Sequence, residues 1–349
     1  MKTLILPCAG LSTRYPNMRP KYLLTCPNGD LVLKKALDSV VLDDIARIVV
    51  VLLAAHESEY HVINALRKSL PATVEYLVLD APTRGPADTV YRAITEMNIS
   101  AQVIVKDSDS FFDPICSHEG SFVGVLDLRE NLDIKKIAAK SFSIINEHDI
   151  ITSIVEKNVV SNFISGGVYG FSSAELFKKC FRSFESHHSS EIFVSHIIDL
   201  AISEGEIFSP QRLTGLVDVG TIDDWGRYTQ SQSVYFVDID GLIFRNQSYY
   251  FAPYWGDEVS PLQKNIECLL NKERAGAQLV FTTSRPEEFR RVTLEALARY
   301  GFASTTIVMG LNHGPRYLIN DYSPRSNPYP TARAVNIERN CDNLEAFLK

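Results

Sequence analysis

Two stretches of this sequence carry residue types suited to phosphate chemistry. The first reads Leu6-Pro7-Cys8-Ala9-Gly10-Leu11-Ser12-Thr13-Arg14, followed by Pro20-Lys21. Gly10 permits backbone conformations that bring amide N–H groups close to a ligand. Ser12 and Thr13 add hydroxyl donors, Arg14 a planar fork for phosphate oxygens, and Lys21 a mobile point charge. Taken singly, Gly10 or Arg14 reads as part of a solvated surface loop; the whole string reads as a phosphate cradle. The second stretch, Val234-Tyr235-Phe236-Val237-Asp238-Ile239-Asp240-Gly241, is a hydrophobic run ending in two carboxylates. Their side chains share a face when the chain is extended. One can act as nucleophile while the other serves as general acid and base. A DxDG also fits a simple turn or a calcium loop, but a calcium loop sits between helices, whereas this one follows what reads as a buried strand. Further on, Phe281-Thr282-Thr283-Ser284-Arg285-Pro286 ends in hydroxyls ahead of a helix. Arg316 precedes Leu318-Ile319-Asn320-Asp321, an apolar run ending in an acid.

The first stretch resembles the signature of the sugar-phosphate nucleotidylyltransferases: a strand, AGxSTR, then PK. Further blocks follow in that family's order. Thr83-Arg84-Gly85-Pro86-Ala87-Asp88-Thr89 resembles its second nucleotide loop, which opens a helix, where anions and acceptors are favoured. Val105-Lys106-Asp107-Ser108-Asp109 ends a strand where the family places a metal-binding Asp. Val155-Glu156-Lys157 resembles its sugar-phosphate EK pair, and Ser165-Gly166-Gly167-Val168-Tyr169 its glycine turn. Val217-Asp218-Val219-Gly220-Thr221, before Asp223-Asp224-Trp225, resembles the segment with the second metal-binding Asp. The resemblance implies nucleotide binding by Ala9, Gly10, Ser12, Thr13, Gly85 and Pro86, and substrate binding by Glu156, Lys157 and Gly167. It gives Arg14 and Lys21 catalytic roles and Mg²⁺ to Asp109 and Asp218, Asp107 being read as a turn former.

In the implied reaction a phosphate oxygen of a sugar or polyol phosphate attacks the α-phosphorus of a nucleoside triphosphate, and pyrophosphate leaves. Both reactants are anions, so the task is charge neutralisation and in-line positioning. Arg14 stabilises the departing pyrophosphate and Lys21 the phosphates as they meet. Asp218 stands between apolar Val217 and Val219, where an unpaired carboxylate is costly. The base stays open between CTP and UTP; the compact N-terminal half resembles the smaller cytidylyltransferases, which favours CTP. Asp107-Ser108-Asp109 is also a DxD, as in glycosyltransferases of similar fold, and a glycosyltransferase fused to a phosphatase is a rival reading. An enzyme that takes a ready-made nucleotide sugar has no need of the Arg14/Lys21 loop.

The second stretch and its companions are similar to the haloacid-dehalogenase-like phosphatases. That likeness implies an aspartyl-phosphate on Asp238, leaving-group protonation by Asp240 and phosphoryl binding by Thr283. It gives charge neutralisation to Arg316, with Arg285 or Arg325 as substitutes, and a second Mg²⁺ to Asp238, Asp240 and Asp321. Leu242 stands where Thr or Val is usual, and Asn320-Asp321 replaces the more frequent acidic pair. These departures keep a silent regulatory or assembly domain open as the alternative. The gaps from Asp238 to Thr283 and from Thr283 to Asp321 are too short for a full cap domain, so the site must borrow its walls. Tyr249-Tyr250-Phe251 and Tyr254-Trp255 are expected either to line that mouth or to serve as ordinary packing between domains. His187, His188 and His313 are assigned no role.

The elements that must position these residues alternate along the chain. Strands are expected at Lys2–Leu6, Ile48–Leu53, Val74–Leu79 and Gln102–Lys106, with helices at Ser58–Ser69 and Pro86–Met97. This order argues for a mostly parallel sheet with helices on both faces. Ser121 to Phe171 reads as a mixed-sheet extension, and helices follow at Ala174–Phe184, Glu191–Ser203 and Thr221–Gln230. A second α/β unit is expected with strands Val234–Val237, Gln278–Phe281, Thr305–Met309 and Tyr317–Asn320 and helices Pro261–Ala275 and Pro286–Tyr300. The expected fold is therefore α/β: a Rossmann-like nucleotidylyltransferase domain over 1–232, then a haloacid-dehalogenase-like domain over 233–349 without a full cap. No linker separates them, which favours docked domains.

With 349 residues, 45 % of them apolar and 22 % charged, the chain has apolar mass for two cores and is not disordered or fibrous. A net charge of −7 lacks the basic excess of a nucleic-acid binder. No apolar run approaches the length of a membrane span, and no secretory leader is expected. The six cysteines are scattered without a CxxC pair, which points to neither zinc nor disulfides but to a reduced, cytoplasmic protein. The expected partners are a nucleoside triphosphate and a sugar or polyol phosphate, with a homo-oligomer possible. Paired activities of this kind suit the supply of surface-glycan precursors, an analogy at the level of family.

Overall fold

The computed structural model describes residues 1–131, 137–187, 190–302, 306–322 and 330–348. Among these, the chain divides into two units, Met1–Trp225 and Gly226–Lys349.

The first unit is built on a nine-stranded sheet. In chain order its strands and their neighbours are β1 Lys2–Pro7, β2 Ile45–Leu53, β3 Val74–Leu79, β4 Gln102–Lys106, β5 Ser110–Phe111, β6 Ser121–Asp127, β7 Ser141–Ile145, β8 Ile151–Glu156, β9 Phe163–Phe171, β10 Phe208–Arg212 and β11 Val217–Asp218. The helices are α1 Val32–Asp38, α2 Ala54–Tyr60, α3 Val62–Arg67, α4 Pro86–Glu96, α5 Ala174–Glu185 and α6 Val194–Ser203, and α7 Ile222–Ser231 spans the division between the units. The sheet order is β3-β2-β1-β4-β9-β6-β10-β8-β7. β3, β2, β1 and β4 run parallel, and β9 pairs antiparallel with β4. The continuous apolar run of β2 follows from burial on both faces. Val49 and Val51 join one core with Ile5 and Val103; Ile48, Val50 and Leu52 join the other with Leu4 and Leu6.

The expected helix Ser58–Ser69 is two helices that begin earlier. His61 takes a left-handed φ of 49° between α2 and α3, and Glu57 accepts from the backbone N–H of Ile63, which restarts the chain.

The second unit has a parallel three-stranded sheet, β12 Val234–Asp238, β13 Gln278–Thr282 and β14 Thr306–Val308, in that order. Its helices are α8 Gln263–Arg274 and α9 Arg290–Arg299. Val237, Ile239, Ile243, Phe281 and Leu297 form its core. Two expectations are corrected here. β12 lies at one end of the described sheet, and Val234 and Phe236 are exposed, so it is not a strand buried on both faces. An apolar run reports composition, not whether a neighbour strand covers it. Tyr317–Asn320 is not a strand. No ladder engages it, and Tyr317 and Ile319 are 84 % and 92 % exposed. A four-residue run just after Gly314-Pro315 gains strand structure only from pairing. Thr305, the expected start of the preceding strand, lies outside the described residues, as do His188 and Arg325.

Candidate functional site

In the first unit the loop after β1 carries Ala9 buried and Gly10, Thr13 and Arg14 exposed. A Cβ at Gly10 would meet nothing within 4 Å; the left-handed residue of this loop is Ser12, with φ 51°. Ser12 Oγ accepts from the Lys21 backbone N–H at 3.4 Å. Buried Tyr15 donates its hydroxyl to the carbonyls of Val219 and Thr221, the latter at 2.9 Å. It thereby clamps the loop to the Asp218 segment, a role that no sequence motif announced.

What brings the two distant acids together is a ladder of two residues. β5 pairs antiparallel with β11, setting Ser110 against Asp218, and the Val219 N–H donates to Asp109 O at 2.8 Å. An atom at the place of a Gly220 Cβ would stand 2.9 Å from Asp218 Oδ1, 3.2 Å from Asp109 Oδ2 and 3.8 Å from Arg14 Nη1. Lys21 Nζ pairs with Asp109 Oδ2 at 2.5 Å. Lys140, absent from every motif above, pairs with Asp218 Oδ2, while Asp218 Oδ1 accepts from the Gly220 N–H at 2.7 Å. Arg14, Lys21, Asp109 and Asp218 thus converge, with Lys140 as a third cation.

The two acids of the DxD differ. Burial, and next the charge of Asp109, push Asp107 up. Burial pushes Asp109 up as well, but Lys21, with Arg14 and Lys140 behind it, holds it below the usual carboxylate range. Environments that push paired acids apart suit them to different tasks. Fully buried Lys106 caps this turn by donating to Ser110 O at 2.7 Å, Ser110 Oγ at 2.9 Å and Asp107 O at 2.9 Å. Burial pulls Lys106 down to about 8, against the attraction of Asp107 and Asp109.

Two carboxylates facing one cradle that a methyl group would fill suit Mg²⁺, which binds through one or two carboxylates plus substrate phosphates and water. Among the described residues no group of three His, Cys, Asp or Glu forms a closed metal cage.

The second loop is shaped by Gly85, whose φ is 131° and whose Cβ would lie 2.6 Å from Ile192 O; a side chain has neither the space nor the conformation. Pro86 opens α4, and Asp88 in its first turn accepts from the Arg84 N–H at 2.9 Å. Gly167 has φ 81°, and a Cβ there would stand 2.8 Å from Asp107 Oδ2. Glu156 accepts from Ser141 Oγ and, at 2.6 Å, from Ser195 Oγ. Its neighbour Lys157 is turned elsewhere: Nζ sits 4.0 Å from the centroid of the Phe193 ring and the side chain is half exposed.

In the second unit Asp238 ends β12 and Asp240 follows two residues later. Arg316 Nη2 approaches Asp238 Oδ1 at 3.3 Å, both side chains being exposed. Burial raises Asp238 above its ordinary range, while Arg316 opposes this. Asp240 is held more firmly. Fully buried Arg285 donates Nη2 to Oδ1 at 2.7 Å and Nε to Oδ2 at 2.9 Å, and Thr283 Oγ1 reaches Oδ2 at 3.3 Å. Arg285 is itself fixed by Gln247 Oε1 at 2.8 Å and Thr293 Oγ1 at 3.3 Å. The expectation for Asp321 is corrected. It is exposed, and among the described residues Asp238, Asp240 and Asp321 do not form a group of three acids that could hold a metal ion. The strand meant to deliver it does not form, so the three-acid Mg²⁺ set is not assembled and these residues do not fit that ion as expected. Of the aromatics, Trp255 is buried against Tyr249, Phe289 and His313, while Tyr250 and Phe251 are exposed.

A nine-stranded sheet, parallel at one end and mixed at the other, with a phosphate-type loop after its first strand, defines a nucleotidylyltransferase-like fold. Solved structures match it. A nucleoside-diphosphate-sugar pyrophosphorylase from Vibrio cholerae RC9 aligns at a TM-score of 0.57 with 18 % identity, over 65 % of this chain and 99 % of its own. A Bacillus anthracis protein assigned as a glucose-1-phosphate thymidylyltransferase, solved with sucrose, aligns at 0.51 with 19 % identity, over 66 % and 94 %. No family model matches the chain, and no curated protein sequence matches it. No helix among the described residues is long and apolar enough to cross a membrane.

Proposed function

We propose that the first unit, within the expected domain 1–232, transfers a nucleotidyl group from CTP or UTP to a sugar or polyol phosphate. The observation that carries this reading is the convergence of Arg14, Lys21, Asp109 and Asp218 around Gly220. Arg14 and Lys21 neutralise the triphosphate and hold it for in-line attack. The acceptor's phosphate oxygen forms the new bond to the α-phosphorus, the bond to the bridging oxygen of the β-phosphate breaks, and that oxygen leaves on pyrophosphate. Asp109 and Asp218 would hold Mg²⁺, which supplies charge neutralisation at the phosphates. Glu156, partly buried and fixed by two serines, is placed to accept from acceptor hydroxyls. The folds named above support this reading. A panel of nucleoside triphosphates crossed with sugar and polyol phosphates, read by pyrophosphate release, tests it. Lys21→Ala should lower the rate about 10²–10³-fold, as for loss of one preorganised charge contact; survival within about tenfold removes Lys21 from the assignment.

For the second unit, within 233–349, we propose phosphate-ester hydrolysis with Asp238 as nucleophile. It is accessible, ends a strand and faces a cation. A second reading, a non-catalytic unit, is favoured by the occupation of both Asp240 oxygens by Arg285 and by the absence of Asp321 from the pair. Generic phosphate esters decide between them. Hydrolysis that Asp238→Asn abolishes supports the first; no hydrolysis of any sugar phosphate or nucleotide supports the second.

A further inference from the structure

The resemblance gave the sugar-phosphate cation to Lys157, but the structure directs a different lysine into the site. β7 and β8 pair with Ser141 opposite Glu156. One step beyond, Lys157 N–H donates to Lys140 O at 3.0 Å, so the two lysines face each other at the same end of one ladder. They then diverge. Lys157 lies over Phe193, with Glu156 Oε1 at 3.9 Å as its ion-pair neighbour. Lys140 enters the acidic cradle, pairs with Asp218 and feels the charges of Asp109, Asp224, Asp107 and Arg14. Its side chain is about one-fifth exposed against half for Lys157.

Asp218 has one oxygen on the Gly220 N–H and the other on Lys140. A cation seated between Asp109 and Asp218 competes with that ammonium for the same carboxylate. We propose that Lys140 is the resident counter-ion of Asp218, that it yields this carboxylate when a divalent cation binds, and that the released ammonium then holds the phosphate of the acceptor. The second half rests on the transferase reading above; the first half does not. The chemistry is that of a flexible stem carrying a strongly hydrated point charge, which changes partners at little cost. Lys140 and Lys21 play parallel parts, one on each acid, so both carboxylates are neutralised before any substrate arrives.

The test uses the full chain in three forms, wild type, Lys140→Met and Lys140→Arg, with Lys157→Met beside them. Mn²⁺ binding without nucleotide, followed by electron paramagnetic resonance, should tighten about threefold in Lys140→Met, because a competing ion pair is gone. Lys140→Arg should stay near wild type or bind more weakly. Unchanged or weaker Mn²⁺ binding by a folded Lys140→Met protein overturns the competition. In the transfer assay Lys140→Met should raise the acceptor KM about tenfold or more, with a smaller change in the nucleotide KM, and Lys140→Arg should recover part of the loss. A larger acceptor effect from Lys157→Met than from Lys140→Met overturns the acceptor role. Transfer absent from the wild type with every pair tried defeats the transferase reading and the acceptor role together, and the Mn²⁺ measurement still decides the competition.

Discussion

Each unit presents a pair of aspartates, and the two pairs are neutralised in different ways. In the first unit Asp109 and Asp218 come from segments far apart in sequence, and each meets a lysine that keeps some solvent exposure. In the second, Asp238 and Asp240 are two residues apart, and Asp240 is gripped at both oxygens by a guanidinium with no exposure. Lysine is a single mobile charge, whereas a buried bidentate arginine is fixed in plane and costly to move. On the proposed reading the first pair exchanges its cations for a metal and phosphates. In the second pair only Asp238 is available to a ligand, and Asp240 is part of the scaffold through Arg285, Gln247 and Thr293. The difference teaches that a pair of aspartates is defined less by its acids than by the mobility of the cations around them.

The contrast breaks most severely at Arg285. Arg285→Met leaves the Asp240 carboxylate without its partner and should destabilise the second unit by about 3–5 kcal/mol. Chemical denaturation followed by a probe in that unit, such as Trp255 fluorescence, measures it; a loss below about 1 kcal/mol would place Arg285 with the exchangeable cations instead. A smaller effect is expected in the first unit from Gly220→Ala. The added methyl fills the space between Asp218, Asp109 and Arg14, and should weaken Mn²⁺ binding and transfer together, about 10- to 30-fold, with the fold intact. Equal metal affinity in the variant would show that the two acids do not share one ion. The smallest change is Tyr15→Phe, which removes the hydroxyl between loop and Asp218 segment. It should cost about 1 kcal/mol, read as roughly fivefold faster amide exchange over residues 218–221.

Much of the site was legible because its parts are contiguous. Leu6–Arg14, Thr83–Thr89 and Val217–Thr221 each hold their residue types within a few positions, and β1, β3 and β4 declared themselves through apolar runs bounded by turn residues. Gly85 was legible as a loop glycine, although its reason, the nearby Ile192 carbonyl, is tertiary. Lys140 was not legible. It stands in no motif, and only the β7–β8 ladder and the segment of Asp218 give it a partner. Tyr15 was missed for the same reason, since its acceptors lie about two hundred positions away in the chain.

By itself the sequence determined which chemical groups the protein owns: two pairs of acids, a basic loop and strands apolar enough to build sheets. These follow from residue type and short-range spacing, which a linear chain displays directly. The tertiary structure decided which groups meet. A two-residue ladder joined Asp109 to Asp218, the hairpin end sent Lys140 inward and Lys157 outward, and Arg285 went to Asp240. The run Tyr317–Asn320 stayed out of the sheet, and Asp321 forms no three-acid group with Asp238 and Asp240. Backbone pairing and burial are non-local, and a change of partner strand or of the face a residue shows reassigns a side chain without altering a letter of the sequence.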